Sequence, residues 1–517
     1  MATKQDYFIP GLRESMNGTS AAVEQQLEAL PSEEYVVKTM PKVAGVGGLT
    51  ATFVLIIFFL TNVPSAIAAG AGTFTFWIVG GITFFIPCVI ATAQLGHMFP
   101  HEGSLYNWTH RAFGGYWSFF VSFCAWFPCV LLMIVAADGV VGYIQGLNNN
   151  WLTQPYQQGL VLIVLLIVAG FLATRRVATV LYLAKMTLVI AFAAVFLVGF
   201  AGVVWLLTGH AAVVSVKTPC DFGFCWNPQS SALPYYTLGL FGFICQAFLG
   251  IEVPLNMGGE MTHKRVVTRH LLWGCILVLL GYFVASFGVL IVTGTSQSGI
   301  PFGLVTTVQK AMGGTAGNIV ALLVMINFVV TPAIYCYAYA RLLMVGGIDK
   351  RLPARIARLN KHRVPVTAMV FETIVAVVLA GILYIVIPSF TTASNQLSLN
   401  TIVYNVVISA STLVWAISTA FLFIDLVKFY FNDRRAFRKQ LIFPMPVLWI
   451  SIVFGTATCA LSIIGTLLYS LIPGLISNGQ WWYIVGGITA VCIVVAAIGS
   501  MLASSEAAWQ DLSKEEG

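Results

Sequence analysis

From Phe248 to Glu260 the chain reads Phe-Leu-Gly-Ile-Glu-Val-Pro-Leu-Asn-Met-Gly-Gly-Glu. This stretch closes a long apolar segment and places Gly250, Glu252, Pro254, Asn256 and the pair Gly258-Gly259 within a short distance. Proline removes a backbone donor and glycine weakens a helix. In lipid, backbone groups freed in this way survive only where they line a protein cavity or hold something. A carboxylate at such depth marks a functional site by default. The residues therefore predict a helix broken at a transport site. Its open amides and carbonyls would face a polar solute, and Glu252 would either load and release a proton or be fixed by backbone donors in a structural role.

The rest of the chain must carry that break inside a membrane. Of 517 residues, 58% are hydrophobic and 9% charged, against about 25% charged in soluble domains. Apolar runs of about 20 residues recur along nearly the whole length, long enough to span a bilayer as helices. Transmembrane β-strands would be about 10 residues long and alternate in polarity, which these runs do not. The expectation is an all-α polytopic membrane protein of about twelve helices, over 46–68, 73–97, 114–145, 157–173, 178–207, 235–260, 268–295, 317–345, 364–388, 399–430, 443–472 and 480–504. A short helix over Phe302–Met312 would lie across the pore mouth.

Charge tests this count. The loops after the even-numbered spans hold Arg111, then Arg175-Arg176, then Lys264, Arg265 and Arg269, then a cluster from Lys350 to Arg363, then one from Lys428 to Lys439. The opposite loops hold only Lys217 and Lys310. The bias predicts a cell-membrane protein with both termini in the cytoplasm. The net charge of +7 belongs to this bias and implies no nucleic-acid partner. The polar tail over 1–45 lacks the basic start and apolar core of a signal peptide, so it is expected to stay on the mature protein. Most of the ten cysteines lie inside spans, without metal-type spacing. Cys220 and Cys225 share a polar loop on the oxidising side, which favours a disulfide over two free thiols.

A second interruption supports a repeat. Thr61-Asn62-Val63-Pro64-Ser65 in the first span parallels Gly250-Ile251-Glu252-Val253-Pro254 in the sixth. Paired interruptions five spans apart fit an inverted repeat of five plus five helices. The core would cover 46–430, with repeats at about 46–207 and 235–430. Two accessory helices would occupy 431–504 and a cytoplasmic tail 505–517.

These residues resemble the amino acid–polyamine–organocation superfamily of permeases and antiporters, with some likeness to its glutamate–GABA antiporter-like members. The likeness rests on Phe248-Leu249-Gly250-Ile251-Glu252 followed by Gly259-Glu260, and on Gln94-Leu95-Gly96 through Pro100 to Glu102-Gly103-Ser104-Leu105-Tyr106. It rests further on Ala112-Phe113-Gly114, and on Ala340-Arg341-Leu342-Leu343 through Leu352-Pro353 to Val364-Pro365-Val366. The resemblance implies a LeuT-type core and a small-molecule amino acid substrate. It implies that the backbone near Gln246, Phe248, Leu249 and Gly250 receives the ammonium, and that Glu252 is a gate. Many members hold the substrate carboxylate on a Gly-Ser-Gly stretch in the first span, where this chain has Ile57, Phe58 and Phe59.

Phe59, Thr61 and Asn62 are the first-span candidates, with local backbone capping as the alternative role for the polar pair. Trp126 and Met133 are candidates in span three, with Tyr335, Asn327, Asn405 and Ser409 behind them. Lys185, deep in span five, lies about one turn before the place where proton-coupled members of the resembling family carry a lysine that stands in for sodium; it takes that role or else snorkels to the surface. Asp138 and Glu372 read as structural. No cofactor or metal motif is present, and a homodimer is compatible with the reading. The expected function is secondary amino acid transport by alternating access, driven by protons or exchange. Sodium coupling and an amine or polyamine substrate are the alternatives. An embedded enzyme lacks a cluster of catalytic side chains, and a channel would need a continuous polar pore.

Overall fold

The structure is a computed structural model that describes residues 30–515 except 149, 223–232, 390–395 and 473. The described residues are almost wholly helical. A short helix α1 (Pro31–Thr39) precedes the bent pair α2 (Val46–Ile57) and α3 (Asn62–Ala66). There follow α4 (Gly72–Met98), α5 (Ser104–Phe113), α6 (Gly115–Leu147), α7 (Pro155–Ala173), α8 (Val177–Leu207) and α9 (Leu233–Gln246). Then come α10 (Arg265–Val292), α11 (Gly303–Met312), α12 (Gly314–Ile348), α13 (Val366–Ser389), α14 (Gln396–Asn432), α15 (Arg434–Lys439), α16 (Met445–Leu468) and α17 (Asn478–Glu515).

Ten of these helices are long and apolar enough to cross a membrane, and eleven spans result if the bent pair 46–57 and 62–69 counts as one. The remaining expected span, 235–260, is the broken one. Its helix α9 has 14 residues, short of the ~20 a continuous span needs. α11 occupies the segment expected to form a short helix.

Both breaks follow from local chemistry. Pro64 cannot donate to the carbonyl of Leu60, and its ring crowds that carbonyl, so α2 stops at Ile57 and the chain restarts at Asn62 with a bend of 48°. Beyond α9, Gly250 adopts φ +100°, a conformation that costs a side chain dearly. A Cβ there would lie 2.8 Å from Ile56 and 2.9 Å from Trp415. The chain then runs as a 3-10 segment from Val253 to Glu260, with Pro254 barring a return to α-helix.

α6 and α12 pack together at the centre, with α8, α10 and α14 around them. Outward faces keep large apolar side chains exposed, such as Val189, Phe196, Leu160 and Ile450, as a lipid-facing surface requires. Cys225 and residues 1–29 lie outside the described residues, so the expected Cys220–Cys225 bridge does too.

Candidate functional site

The two breaks meet at a cavity of about 30 Å³, room for about two waters. Ile56, Ile57, Phe59 and Asn62 line it from the first break, and Phe243, Gln246, Ala247 and Leu249 from the second. Leu132 of α6, Tyr335 of α12, and Ile408, Ser409, Thr412 and Trp415 of α14 complete the wall. An amino acid would need the walls to part.

The freed backbone is partly satisfied by two tyrosines. The Tyr282 hydroxyl lies 2.9 Å from the Ile57 carbonyl and 3.2 Å from the Ala247 carbonyl, and accepts from Phe59 N–H at 3.3 Å and Asn62 Nδ2 at 3.1 Å. It touches both breaks. Tyr335 donates to the Ile56 carbonyl at 2.6 Å. Gln246 is held on both sides, accepting from Thr412 at 2.5 Å and donating to Thr466 at 2.7 Å. Ser409 is different. Its buried hydroxyl has no partner among the described residues, and it faces the cavity.

Of the candidates named from sequence, Phe59, Asn62, Gln246 and Leu249 come together here, as do Tyr335 and Ser409. Gly250 adjoins through its close approach to Ile56 and Trp415. Phe248 turns away into an aromatic cluster, stacked on Phe85 at 4.6 Å and edge-on to Trp77 at 5.5 Å. Thr61 is taken by Tyr404, which donates to it at 2.9 Å. Trp126 stacks on Phe371 at 5.9 Å, and Met133 is buried in the apolar core; neither lines the cavity. Asn327 takes part in a local bond with Thr331, and Asn405 is not among the lining residues. Lys185 is exposed on α8 and does not line the cavity; a Cβ placed on Gly47 of α2 would lie 3.8 Å from its Cε.

Glu252 is buried just beyond the second break. Trp415 Nε1 donates to its Oε1 at 3.1 Å, and Oε2 has no partner among the described residues. No guanidinium or ammonium is paired with it there.

The face that carries the basic loops is tied shut. Arg341, fully buried, bonds Glu260 at 2.8 Å and lies 3.8 Å from Glu102, with Tyr337 against the same guanidinium. Glu102 accepts from Gly259 N–H at 2.8 Å. Ala44 and Lys42 reach across to Glu260 O at 2.9 Å and Gly259 O at 2.6 Å. α1 lies over this closure. Asp349 takes the place of an N-cap for it, accepting from Ser32 N–H and Oγ at 2.9 Å each. Glu33 bonds Arg111 and Asn107. Although burial works to raise the Glu33 carboxyl, the nearby His101 and Arg111 and the bonds from Arg111 and Asn107 hold it below the ordinary range.

Tyr282, Thr412, Trp415 and Arg341 were missed as site residues. The signal on α14 was available, since Tyr404, Ile408, Thr412 and Trp415 recur at helical spacing along one stripe. Tyr282 carried none, being one tyrosine in a long apolar run.

Paired helix breaks around a small, largely apolar cavity with a few polar groups, inside a bundle of lipid-facing helices, define a multi-pass membrane transporter. Residues 42–496 match the amino acid permease family, and the chain belongs to it. The chain is 24% identical to the probable agmatine/putrescine antiporter AguD of Lactococcus lactis, over 53% of this chain and 58% of that protein. It is 23% identical to the gamma-aminobutyric acid permease of Bacillus subtilis, over 57% of this chain and 62% of that one. It is 22% identical to the inner membrane transporter YjeM of Escherichia coli, over 89% and 96%. The match thus spans less than two thirds of the antiporter and the GABA permease, and nearly all of YjeM. The names of these relatives accord with transport of a small molecule rather than with an enzyme.

Proposed function

We propose that this protein is a secondary transporter of amino acids or closely related amines, working by alternating access across the cell membrane. The observation that carries the reading is the cavity where both breaks converge, with Ser409 unpartnered inside it. A substrate ammonium would bind the α9 break near Gln246 and Leu249, and a carboxylate would take the hydroxyl of Ser409 and the amide of Asn62. No basic side chain among the described residues lines the wall, which argues against an acidic amino acid. The antiporter and GABA permease relatives support a substrate bearing a primary amine.

Coupling to protons or exchange is favoured over sodium. The Ile56 carbonyl, which could otherwise ligate a cation, accepts from Tyr335, and the Ile57 and Ala247 carbonyls share the single hydroxyl hydrogen of Tyr282. Glu252 is the gate and the proton carrier. The loop charges favour a cytoplasmic setting for the basic face, with its closure by α1, and for both termini. The core of 46–430 holds the repeats, with 431–504 accessory.

The test is uptake by purified protein in liposomes. Labelled amino acids, GABA and agmatine are offered under a pH gradient, and separately with counter-substrate inside. Uptake that rises with the gradient or with internal counter-substrate is expected. No uptake of any probe in either format would sink the reading.

A further inference from the structure

Four of the six residues of α15 are cations, Arg434, Arg435, Arg438 and Lys439, and all four are exposed. The acid beside them, Asp433, is occupied at the helix start, where its carboxylate accepts from Arg435 N–H and Ala436 N–H at 2.9 Å each. None of the four cations forms an ion pair among the described residues.

α15 is fixed in place. Its Phe437 is buried. In the loop that follows, the Gln94 side chain of α4 donates to the Gln440 carbonyl at 2.9 Å and accepts from Ile442 N–H at 3.1 Å. The charges are thus carried on an anchored element of the basic face.

Against α15 lies an apolar cleft of about 10 Å³, lined by Tyr430 of α14, Phe437 of α15, and Met445, Trp449 and Ile452 of α16, among others. Tyr430 meets Phe437 and Trp449 edge-on, at 5.9 and 5.4 Å. The Arg434 guanidinium lies over Tyr430 at 5.3 Å and over Phe431 at 5.4 Å, so a charge stands on the aromatic wall of the cleft. Phe431, and Val447, Ile450 and Val453 of α16, are exposed and continue the apolar surface outward.

This pairing selects the occupant. A soluble anion gains nothing from the cleft, and an uncharged lipid gains nothing from the cations. Basic side chains at the end of a span attract anionic head groups, and amphipathic rings such as Tyr and Trp suit the boundary between head group and acyl chain. Arg434 and Arg438 are one helical turn apart on the same side, where two guanidinium groups can hold one phosphate.

We propose that α15 and the cleft between α14 and α16 form a binding site for an anionic phospholipid of the leaflet at the basic face. Arg434 and Arg438 hold its phosphate. One acyl chain runs along the exposed strip and fills the cleft, which has room for about one methylene-sized group. The site is independent of what the protein transports.

The test is native mass spectrometry of the full chain in detergent, titrated with phosphatidylglycerol or with phosphatidylcholine of the same acyl chains. Wild type is compared with Arg434→Gln/Arg438→Gln and with Arg355→Gln/Arg358→Gln, a second exposed pair that does not line the cleft. Wild type should hold phosphatidylglycerol about tenfold more tightly than phosphatidylcholine, the effect of one or two charge contacts. Arg434→Gln/Arg438→Gln should lose that preference and the other pair should keep it. Phosphatidylglycerol with brominated acyl chains should quench tryptophan emission less in Trp449→Phe, which retains a ring against Tyr430, than in wild type. Any one of four results would overturn the site: no preference in wild type, an equal loss in both arginine pairs, quenching that Trp449→Phe leaves unchanged, or displacement of the lipid by an equal concentration of soluble glycerol phosphate.

Discussion

The hydroxyl of Tyr282 lies 2.9 Å from the carbonyl of Ile57, in the first break, and the same oxygen reaches Ala247 in the second at 3.2 Å. One side chain on α10 thereby holds two interrupted helices in register. Its ring stacks on Trp77 at 4.1 Å, so Tyr282→Phe should keep the packing and lose only the hydroxyl. Phe59 N–H and the Asn62 amide would then lack their acceptor. Unmet buried polar groups cost about 1–3 kcal/mol each, so the variant should melt well below wild type in detergent, and uptake should fall further than abundance. An unchanged melting temperature would mean that water replaces the hydroxyl and that the breaks do not depend on it.

Glu252 and Trp415 make a second such tie, between the α9 break and α14. Glu252→Gln keeps an acceptor for the indole and removes the titrating group. The variant should reach wild-type abundance while the dependence of uptake on pH flattens. Trp415→Phe removes the donor and leaves the carboxylate, so it should displace the pH profile without flattening it. A Glu252→Gln profile that superimposes on wild type would reduce Glu252 to a structural residue.

The fold was legible because its signals are large. Apolar runs and loop charges read out the spans, and the prolines and glycines at 64, 250 and 254 located the breaks. Side-chain direction was not legible in the same way. Phe248 and Leu249 are neighbours, yet one faces the aromatic cluster and the other the cavity. Met133 was named where Leu132 lines the wall. Successive residues point about 100° apart on a helix, and a helix such as α6, buried nearly all round, shows no polar face from which to set the rotation. Lys185 shows the same limit, since its depth along the chain says nothing of which side of α8 it occupies. Tyr282 acts through Ile57, 225 positions away, and Arg341 through Glu260, 81 away, and neither pairing follows from local sequence.

Arg341 offers the most direct test of the closure on the basic face. Its guanidinium is fully buried between Glu260 and Glu102. Removing one partner of a buried ionic group costs about 3–5 kcal/mol, because charge is left without compensation. Arg341→Met should therefore reduce abundance and melting temperature sharply. Adding Glu260→Gln and Glu102→Gln removes the stranded carboxylates and should restore much of the loss. Failure of the triple variant to recover any stability would show that Arg341 works through its packing on Tyr337 rather than through the acid pair.

The docking of α1 should respond to pH through Asp349. Burial at this contact pushes the Asp349 carboxyl up to about 6 from an ordinary value of 3.8, and the two bonds from Ser32 offset only part of that. The docked state therefore holds the proton more tightly than the undocked one, so docking gains as pH falls through about 6 towards 3.8 and loses that gain as pH rises. Glu33 works in the opposite sense. Its carboxyl is held below 4.5 in the docked state, so its contribution is complete above that value and is lost only in stronger acid. Between about 4.5 and 6 the two do not compete. Amide exchange over α1, corrected for its intrinsic pH dependence, should be slower at about pH 5 than at about pH 7. Asp349→Asn keeps an acceptor for Ser32 and cannot titrate, so it should hold α1 equally at both. Protection that is greater at the higher pH in wild type would reverse the sign and rule out Asp349 as the group that sets it.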